Sequence, residues 1–488
     1  MEYKWKAFSV TSVGAMMAAV DGTIVLLALF PIAGDLHSSY VTIIWVVIAY
    51  LLATTAFVLS FGRISDIYGR KRMYNLGFVV FTVGSALCGF ALNGEMLVGF
   101  RAVQGVGAAL LTANSFAILS EAFPAGERGR AFGMIAVVWG LGSVVGIILG
   151  AAIITLTTWR VIFWINIPIG IFGTIWAYRT LRESKVAAPQ GETFDLPAAV
   201  LFTAGLTFLL FGVTWGLLSG WSDPMTLLSF GLVVPLFASF AVWEIRYSPQ
   251  PIIDFGFFRE RTFSLAVTAA LLQSIAVFSV NFLLVFYLEG IYGLSVLQSS
   301  YLILPNAIAV AIIGPFGGRF TDRWGARRIA TIGLLFQIVT LFGLSLLTTG
   351  TPIWLLAVIE ALFGVGGGLF WPANTSTIMS NSPHGRYGVG SGIMNTFRNT
   401  GMVLSFAVGL IAITASVSPA LIYALFLGNF SGTLVPAQAA EYLAGQGTAF
   451  FLGGVLLVVA LLLTRLTSAR PVSGAPRLEV RASGPEPT

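Results

Sequence analysis

Four ionisable residues stand inside long apolar stretches of the sequence: Asp21, Arg101, Glu360 and Arg398. Charged side chains are costly in the hydrocarbon of a membrane, and those that occur there are usually functional. Asp21 lies midway along the first stretch beside the small pair Gly22 and Thr23, so it is a candidate to take up and release a proton. The alternative is that Asp21 is a fixed hydrogen-bonding partner of a neighbouring helix.

The other three residues have different candidate roles. A fixed positive charge at Arg101 would help a neighbouring carboxylate to release its proton; alternatively, Arg101 anchors the chain at the outer interface by snorkelling. For Glu360 three roles stay open: a site for a substrate cation, a second proton site, or a buried ion-pair partner. Arg398 is the candidate to compensate an acid, although the sequence does not identify which one.

Aromatic and amide side chains in the apolar stretches are candidates to line a cavity for an amphipathic or cationic aromatic substrate, because aromatic rings attract cations. Together with Arg398, the candidates are Trp45, Gln273, Phe278, Asn281, Tyr287, Trp371 and Asn374. The alternative is that these aromatics face lipid or form an interfacial belt, since 13% of the chain is aromatic.

A short basic segment occurs twice, as GRISDIYGRKR at 62–72 and as GRFTDRWGARR at 318–328. Gly69 can adopt the backbone angles of a tight turn. Asp66 can pair with a neighbouring arginine or accept hydrogen bonds from a facing helix N-terminus. Such a segment would hold two helices together on one side and would separate when that side opens. The alternative is a basic cluster that only sets membrane orientation.

Several classes of function are disfavoured. The single cysteine, Cys88, excludes an intramolecular disulfide and a thiolate metal cluster. No HExxH, Walker A or GxSxG sequence stands in a suitable context, so we expect no enzyme, no ATP-driven pump, no metal site and no cofactor. The net charge of +6 comes from basic residues between apolar runs, so nucleic acid is not an expected partner.

The elements that must position these residues are membrane helices. Of the 488 residues, 57% are hydrophobic and only 9% charged, and the mean hydropathy is +0.90. A spanning helix needs about 20 apolar residues. Fourteen runs of sufficient length predict fourteen spans. They lie at 8–31, 41–61, 73–92, 96–119, 131–155, 160–180, 196–217, 225–243, 262–288, 299–318, 329–348, 352–378, 388–416 and 447–464.

Lysine and arginine gather in every second connection between these runs, as the positive-inside rule requires. With the N-terminus inside, an even number of spans places both termini in the cytoplasm of a cell whose plasma membrane the chain crosses. The segment at 418–446 is expected to be one long outer loop, partly dipped into the interface.

The repeated basic segment predicts a duplicated organisation, as in transporters built from two similar halves. Residues 1–185 would form an N-terminal six-helix bundle and 261–465 a C-terminal one. Residues 186–260 would be a linker with two additional transmembrane helices, and 466–488 a disordered cytoplasmic tail.

The chain resembles the major facilitator superfamily and, within it, the fourteen-span drug:proton antiporters. The motif residues of the first half and their second-half counterparts are Gly62, Asp66, Gly69, Arg70, Lys71, Arg72, Gly318, Asp322, Gly325, Arg327 and Arg328. The stretches at 19–36, 101–110, 159–170 and 390–401 are also similar to the family. The resemblance implies an all-α membrane protein of two six-helix bundles plus two central helices, which works by alternating access, and implies that Asp21 and Arg101 take part in proton handling.

One departure from the family concerns the fifth span. WGLGSVVGIILGAA has Ile147 where the family has a proline, in a motif associated with antiport, so the coupling direction is open. Gly142, Gly146 and Gly150 at four-residue spacing still form a smooth face for close helix packing.

The resulting hypothesis is a monomeric transporter that exports a small hydrophobic or cationic compound across the bilayer in exchange for protons. A symporter or uniporter of a small metabolite is the alternative within transport. A membrane sensor on the same fold, which binds but does not transport, is the alternative from another class.

Overall fold

A computed structural model describes residues 2–38, 40–183, 194–248, 256–294, 296–383, 386–414, 416–417 and 434–468. These residues form helices and connections, with no strand among them. The helices are α1 (Tyr3–Asp35), α2 (Tyr40–Tyr68), α3 (Arg70–Gly89), α4 (Gly94–Ala122), α5 (Arg128–Leu156), α6 (Val161–Trp164), α7 (Asn166–Thr180), α8 (Leu196–Ser219), α9 (Pro224–Arg246), α10 (Gly256–Arg259), α11 (Arg261–Val277), α12 (Val280–Tyr292), α13 (Val296–Trp324), α14 (Ala326–Ser345), α15 (Ile353–Ser380), α16 (Tyr387–Thr414) and α17 (Pro436–Leu466).

Every predicted apolar run coincides with a helix or with a pair of consecutive helices. Two runs are interrupted: 160–180 at Ile165, between α6 and α7, and 262–288 at Phe278 and Ser279, between α11 and α12. Eleven of the described helices are long and apolar enough to cross a membrane. The chain is therefore a multi-pass membrane protein.

Local sequence explains where several helices begin. The side chains of Asn93, Asp195 and Asp223 accept hydrogen bonds from backbone N–H groups in the first turns of α4, α8 and α9. Gly69 and Gly325 precede α3 and α14 with φ of 101° and 88°, which glycine adopts without strain. The tight turns of the two basic segments therefore have the same backbone form.

The helices fall into two groups by their contacts, which we call the first half (α1 to α7) and the second half (α11 to α17). In the first half α4 packs on α2 and α3, and α1 packs on α5. In the second, α15 packs on α13 and α14, and α17 packs on α11 and α14. The halves meet along α5 against α13 and along α2 against α16, whereas α8 and α9 form a hairpin beside α2 and α16.

The prediction of one long outer loop at 418–446 is wrong for residues 436–446, which are helical. Residues 418–433 lie outside the described residues, but helix α17 already begins at Pro436. Proline is favoured in a first helical turn, and the following AQAAEYLAGQ contains many strong helix formers. Hydropathy alone missed these turns because they are polar. Most of the expected tail also lies outside the described part, at 469–488.

Candidate functional site

Asp21 and Arg101 form a buried ion pair inside the first half. Arg101 Nη1 lies 2.6 Å from Asp21 Oδ2, and the side chains of Arg101 and Asp21 are 1% and 0% exposed, respectively. Because α1 and α4 pack together, residues far apart in sequence meet at this point. The burial excludes the alternative in which Arg101 reaches the outer interface by snorkelling.

Neutral polar groups complete the environment of this pair. Gln104 Nε2 and Asn166 Nδ2 both donate to Asp21 Oδ1, at 2.8 and 3.0 Å. Asn166 also donates to Ser85 Oγ at 3.0 Å, and Arg101 donates through Nε to the Val46 carbonyl at 3.1 Å. The sequence analysis did not identify these donors. The feature that could have indicated them is that each is a polar side chain within an apolar run.

An aromatic ring covers the arginine. The Arg101 guanidinium lies over the ring of Tyr50 at 4.2 Å from its centroid. With this cation–π contact and its hydrogen bonds, the ion pair has partners on several sides. In the described conformation Asp21 is therefore a well-partnered carboxylate whose side chain is fully buried.

The glycine face of α5 lies against α1 beside this pair. A Cβ atom at Gly142 would lie 2.7 Å from Ala19 Cβ, and one at Gly146 would lie 2.8 Å from the Val20 carbonyl oxygen. Gly150 continues the face and is also buried. The glycines thus permit a close approach of α5 to the helix that carries Asp21.

Glu360 on α15 has a different environment. Its side chain is 0% exposed, and Asn306 Nδ2 donates to its Oε2 at 3.1 Å. The other oxygen, Oε1, is buried without a hydrogen-bond partner. Within the described chain Glu360 forms no ion pair, which excludes the buried ion-pair role for the conformation described here.

Glu360 in the second half occupies the position equivalent to that of Arg101 in the first half. RAVQGVG at 101–107 matches EALFGVG at 360–366. A Cβ at Gly105 would meet the Tyr50 carbonyl oxygen, and one at Gly364 would meet the Asn306 carbonyl oxygen, so the two glycines pack alike. The two matching segments therefore carry opposite charges at the same position.

The first basic segment joins the two halves. Asp66 Oδ1 and Oδ2 accept hydrogen bonds from the N–H groups of Gly388 and Val389, both at 3.0 Å, in the first turn of α16. Arg70 Nη2 donates to Asp66 Oδ1 at 2.8 Å, and its Nη1 donates to Glu121 Oε2 at 2.8 Å. The Asp66 side chain is 3% exposed. We call this contact the first latch.

The second basic segment makes the reciprocal contact. Asp322 Oδ1 and Oδ2 accept from the N–H groups of Gly129 and Arg130, at 3.1 and 3.0 Å, in the first turn of α5. Unpaired N–H groups and the helix dipole make such a terminus a favourable partner for a carboxylate. No ion pair to Asp322 occurs among the residues described. We call this contact the second latch.

Glycines bring the backbones together at both latches. A side chain at Gly62 would collide with the carbonyl of Gly388, and one at Gly318 would collide with the carbonyl of Gly129. The end of the molecule that carries the latches is therefore closed by direct backbone packing between the halves.

The remaining motif residues hold connections within each half. The Lys71 N–H donates to Glu183 Oε1 at 3.2 Å, and Arg72 Nε lies 4.0 Å from Glu183 Oε2. Arg327 donates to the Thr467 carbonyl beyond the end of α17 at 3.4 Å, whereas Arg328 is exposed. These basic residues support the connections rather than bridging the halves.

Arg398 lies between two tryptophans from opposite halves. Its guanidinium is 5.0 Å from the ring centroid of Trp371 on α15 and 5.8 Å from that of Trp139 on α5. It does not compensate an acid within the described chain, although compensation was the expected role. Trp139 was not among the predicted cavity residues, because nothing in its sequence context distinguishes it from other aromatics.

The structure does not bring the other cavity candidates to this tryptophan pair. Trp45 packs against Phe211 and Trp215 of the α8 hairpin, with ring centroids 5.2 and 6.2 Å away. Tyr287 is buried and donates to the Thr348 carbonyl at 2.7 Å. Gln273 donates to Gln337 at 3.2 Å, inside the second half.

Phe278 and Asn281 are exposed at the break between α11 and α12. Asn374 is buried on α15, one turn from Trp371, and its Nδ2 has no hydrogen-bond partner. Of the predicted cavity residues, Trp371 and Arg398 are thus in contact, and Asn374 lies nearby on the same helix.

A separate ion pair lies at the opposite end of the first half. Arg160 Nη1 and Trp159 Nε1 both donate to Asp35 Oδ2, the latter at 2.9 Å. The hydrogen bond from Arg160 and then that from Trp159 hold the pKa of Asp35 below its ordinary value of 3.8. In the described ranges no three His, Cys, Asp or Glu side chains cluster as metal ligands would.

Comparison with known proteins gives a consistent result. Residues 11–406 match the model of the Major Facilitator Superfamily. The chain is 33% identical over 460 residues to the riboflavin transporter RibZ of Clostridioides difficile (strain 630), covering 94% of this chain and 98% of that protein.

Two further relatives bear on activity and fold. The chain is 30% identical over 396 residues to multidrug resistance protein 3 of Bacillus subtilis (strain 168), covering 81% of this chain and 77% of that protein. A structure of the proton:xylose symporter XylE superposes with a TM-score of 0.68 at 13% identity, covering 97% of each chain. The latter likeness concerns the fold alone.

Proposed function

The chain belongs to the Major Facilitator Superfamily, and on that premise we propose that it exports a hydrophobic, drug-like compound in exchange for protons by alternating access. Its relatives include a multidrug resistance protein, which supports the export of such compounds. The substrate enters at the interface of the halves and leaves when the opposite end opens.

The pair of reciprocal latches carries this proposal. Each half contributes one carboxylate and one helix N-terminus, so the closed end is held by four charge-assisted hydrogen bonds across the interface. None of these bonds lies within a half. Opening this end requires only that the halves separate, and each half keeps its own packing, as alternating access demands.

The proposed topology assigns the latches to the cytoplasmic side. The basic residues of both segments lie at the latch end, and the positive-inside rule places such clusters in the cytoplasm. We propose fourteen spans, both termini inside, a monomer in the plasma membrane, and two six-helix halves joined by the α8 and α9 hairpin. The conformation described is then closed toward the cytoplasm.

Proton exchange is assigned to Glu360. An ionised carboxylate that is buried with a single hydrogen-bond donor and no cation is strongly disfavoured, so Glu360 is neutral in the latched conformation. Its proton leaves when the halves separate and water enters. Asp21, by contrast, is paired with Arg101 and accepts hydrogen bonds from two amides. Asp21 and Arg101 influence coupling by fixing α1 against α4.

A second candidate function is the transport of a small metabolite. The relative named a riboflavin transporter is similar over nearly the whole of both chains. Ile147, in place of the proline of the family's antiport motif, leaves symport or uniport open for such a substrate. The direction of flux relative to the proton gradient distinguishes this candidate from drug export.

Flux in proteoliposomes tests the proposed function. Under an imposed proton gradient, the native chain should move a hydrophobic fluorescent dye in the direction opposite to the flow of protons. Glu360→Gln, which mimics the neutral acid, should lose the effect of the gradient, and Glu95→Gln at an exposed position of α4 is the matched control. Native flux that ignores the gradient would contradict antiport. Gradient-driven flux that survives Glu360→Gln and is lost in Asp21→Asn would move coupling to Asp21.

A further inference from the structure

Among the residues that the structure describes, no anion pairs with Arg398. The described part of the chain offers it no ion pair and no hydrogen bond, and its Nε is buried without a partner. A partly buried charge without a counter-charge is unfavourable unless a ligand supplies one. Its partners are two indole faces, which leave the edge of the planar guanidinium free to donate.

The acids in neighbouring helices do not supply the missing charge. Asp21 is engaged by Arg101. Glu360 precedes Trp371 by three turns of α15, a separation of about 16 Å along the axis, and is hydrogen-bonded to Asn306. The tryptophan pair thus lies in a region of net positive charge.

Further polar groups lie one turn from the ring contacts. Asn374 follows Trp371 by three residues and has an unpartnered Nδ2, and Asn395 precedes Arg398 by three and has an unpartnered Oδ1. Residues at this spacing share a helix face. Buried amides of this kind are suited to orienting a polar ligand, because their unmade hydrogen bonds are costly.

We propose that Trp139, Trp371 and Arg398 form the recognition site for a flat aromatic substrate that carries a negative charge. The rings stack against the indoles, and the guanidinium donates to the anionic oxygens. This assignment rests on the proposed transport function and changes its substrate class, because a fixed cation repels the cationic compounds expected from sequence.

The location of the site links binding to conformational change. Trp139 belongs to the first half and Trp371 and Arg398 belong to the second, so the substrate contacts both. A ligand that binds one relative position of the halves more tightly shifts their equilibrium toward that position. Binding by Arg398 therefore couples substrate occupancy to latch opening.

A matched pair of probes tests the assignment with the full-length chain in detergent at constant pH. Pyrenesulfonate and pyrenylmethylammonium share one flat ring system and carry opposite charges. Binding is measured by fluorescence anisotropy for the native chain, Arg398→Gln, Arg398→Lys and the exposed-residue control Arg179→Gln.

The native chain and Arg179→Gln should bind the anion at least about tenfold more tightly than the cation, a typical effect of one charge-assisted contact. Arg398→Gln should abolish this preference, and Arg398→Lys should retain part of it because lysine keeps the charge without the planar fork. Trp371→Phe should weaken both probes alike.

Equal or tighter binding of the cation by the native chain, an unchanged preference in Arg398→Gln, or no binding of either probe would overturn the assignment. Thermal unfolding of each variant shows whether a variant that has lost the preference is still folded. Because no proton gradient is used, these results are independent of whether transport is proton-coupled.

Discussion

The two halves of the molecule share one helical plan but treat their buried charges in opposite ways. The first half pairs Asp21 with Arg101 and surrounds both with amide donors. The second half keeps Glu360 and Arg398 apart, each without a counter-charge in the described chain. The first half thus has a fixed electrostatic arrangement. In the second half a proton can neutralise Glu360, and an anionic ligand can pair with Arg398.

This difference arises at equivalent positions. Arg101 and Glu360 precede the same Gly-Val-Gly in α4 and α15, and both pack beside a glycine that contacts the neighbouring helix. A paired buried charge is costly to disrupt, and an unpaired carboxylate is easily neutralised by protonation. The comparison teaches that two similar helix arrangements can hold their buried charges in opposite ways through a change of a single residue.

The largest effect is expected from removing one member of the buried pair. Asp21→Leu leaves Arg101 buried without its counter-charge and should lower the free energy of unfolding by about 3–5 kcal/mol. Thermal unfolding in detergent, followed by tryptophan fluorescence, measures this loss.

The double variant Asp21→Leu/Arg101→Leu is the matched control, since it removes both charges. It should recover much of the stability lost in the single variant. A single variant as stable as the native chain would break the comparison, because Asp21 would then not be fixed by its ion pair.

The next largest effect concerns the first latch. Asp66→Asn weakens hydrogen bonds from Gly388 and Val389 that are each worth about 1.5–3 kcal/mol when the acceptor is charged. Hydrogen exchange measured by mass spectrometry should become faster in the first turn of α16.

The reciprocal variant Asp322→Asn sharpens this comparison. It should speed exchange at Gly129 and Arg130. If the two latches open together, each variant will speed exchange in the first turns of both α5 and α16. If they open separately, each variant will speed exchange only in the helix that its own aspartate contacts. Unchanged exchange in both variants would contradict a latching role.

A smaller effect on stability is expected for Glu360. Glu360→Gln keeps an acceptor for Asn306 and resembles the neutral acid, so the free energy of unfolding should change by less than about 1 kcal/mol. Thermal unfolding beside Asp21→Leu gives the contrast between the halves. A loss as large as that of Asp21→Leu would indicate that Glu360 is ionised and structural.

The smallest effect is expected at the exposed pair of Asp35 and Arg160. Because Arg160 holds the pKa of Asp35 low in the folded state, the pair stabilises the protein above the ordinary pKa of aspartate, and this contribution is lost as the pH falls through the lowered value.

Unfolding temperatures of the native chain and of Asp35→Asn, compared between neutral pH and pH near the lowered pKa, measure this contribution. The difference between the two proteins should shrink as the pH falls. It should be small throughout, since exposed pairs are screened by water and salt. A difference that grows toward low pH would contradict this assignment.

Much of the fold follows from patterns that act locally. Each of the fourteen apolar runs predicted from hydropathy coincides with one helix or with two consecutive helices, and the two copies of the basic segment form tight turns of the same backbone form. The turns of α17 before residue 447 were missed because their stability comes from helix propensity rather than from apolar content. The breaks at Ile165 and Ser279 were missed because each lies within a continuous apolar run.

The sequence predicted the candidate site less completely than the fold, because the side chains that meet there come from helices far apart in the sequence. The family motif marked Asp21 and Arg101, but Gln104, Asn166 and Ser85 acquire meaning only once α3, α4 and α7 surround α1. That Arg398 meets two tryptophans and no acid within the described chain likewise follows from the packing of three helices, whereas the sequence had suggested a pairing with an acid.

The reciprocity of the latches has a consequence for the symmetry of the chain. Asp66 of the first half binds α16 of the second, and Asp322 of the second binds α5 of the first, at equivalent positions. Contacts in which residue i meets j and j meets i are those of a two-fold symmetric dimer. The two latches therefore give a single chain the reciprocal contact pattern of a two-fold symmetric dimer, with the breach of that symmetry at Arg101 and Glu360, which carry opposite charges.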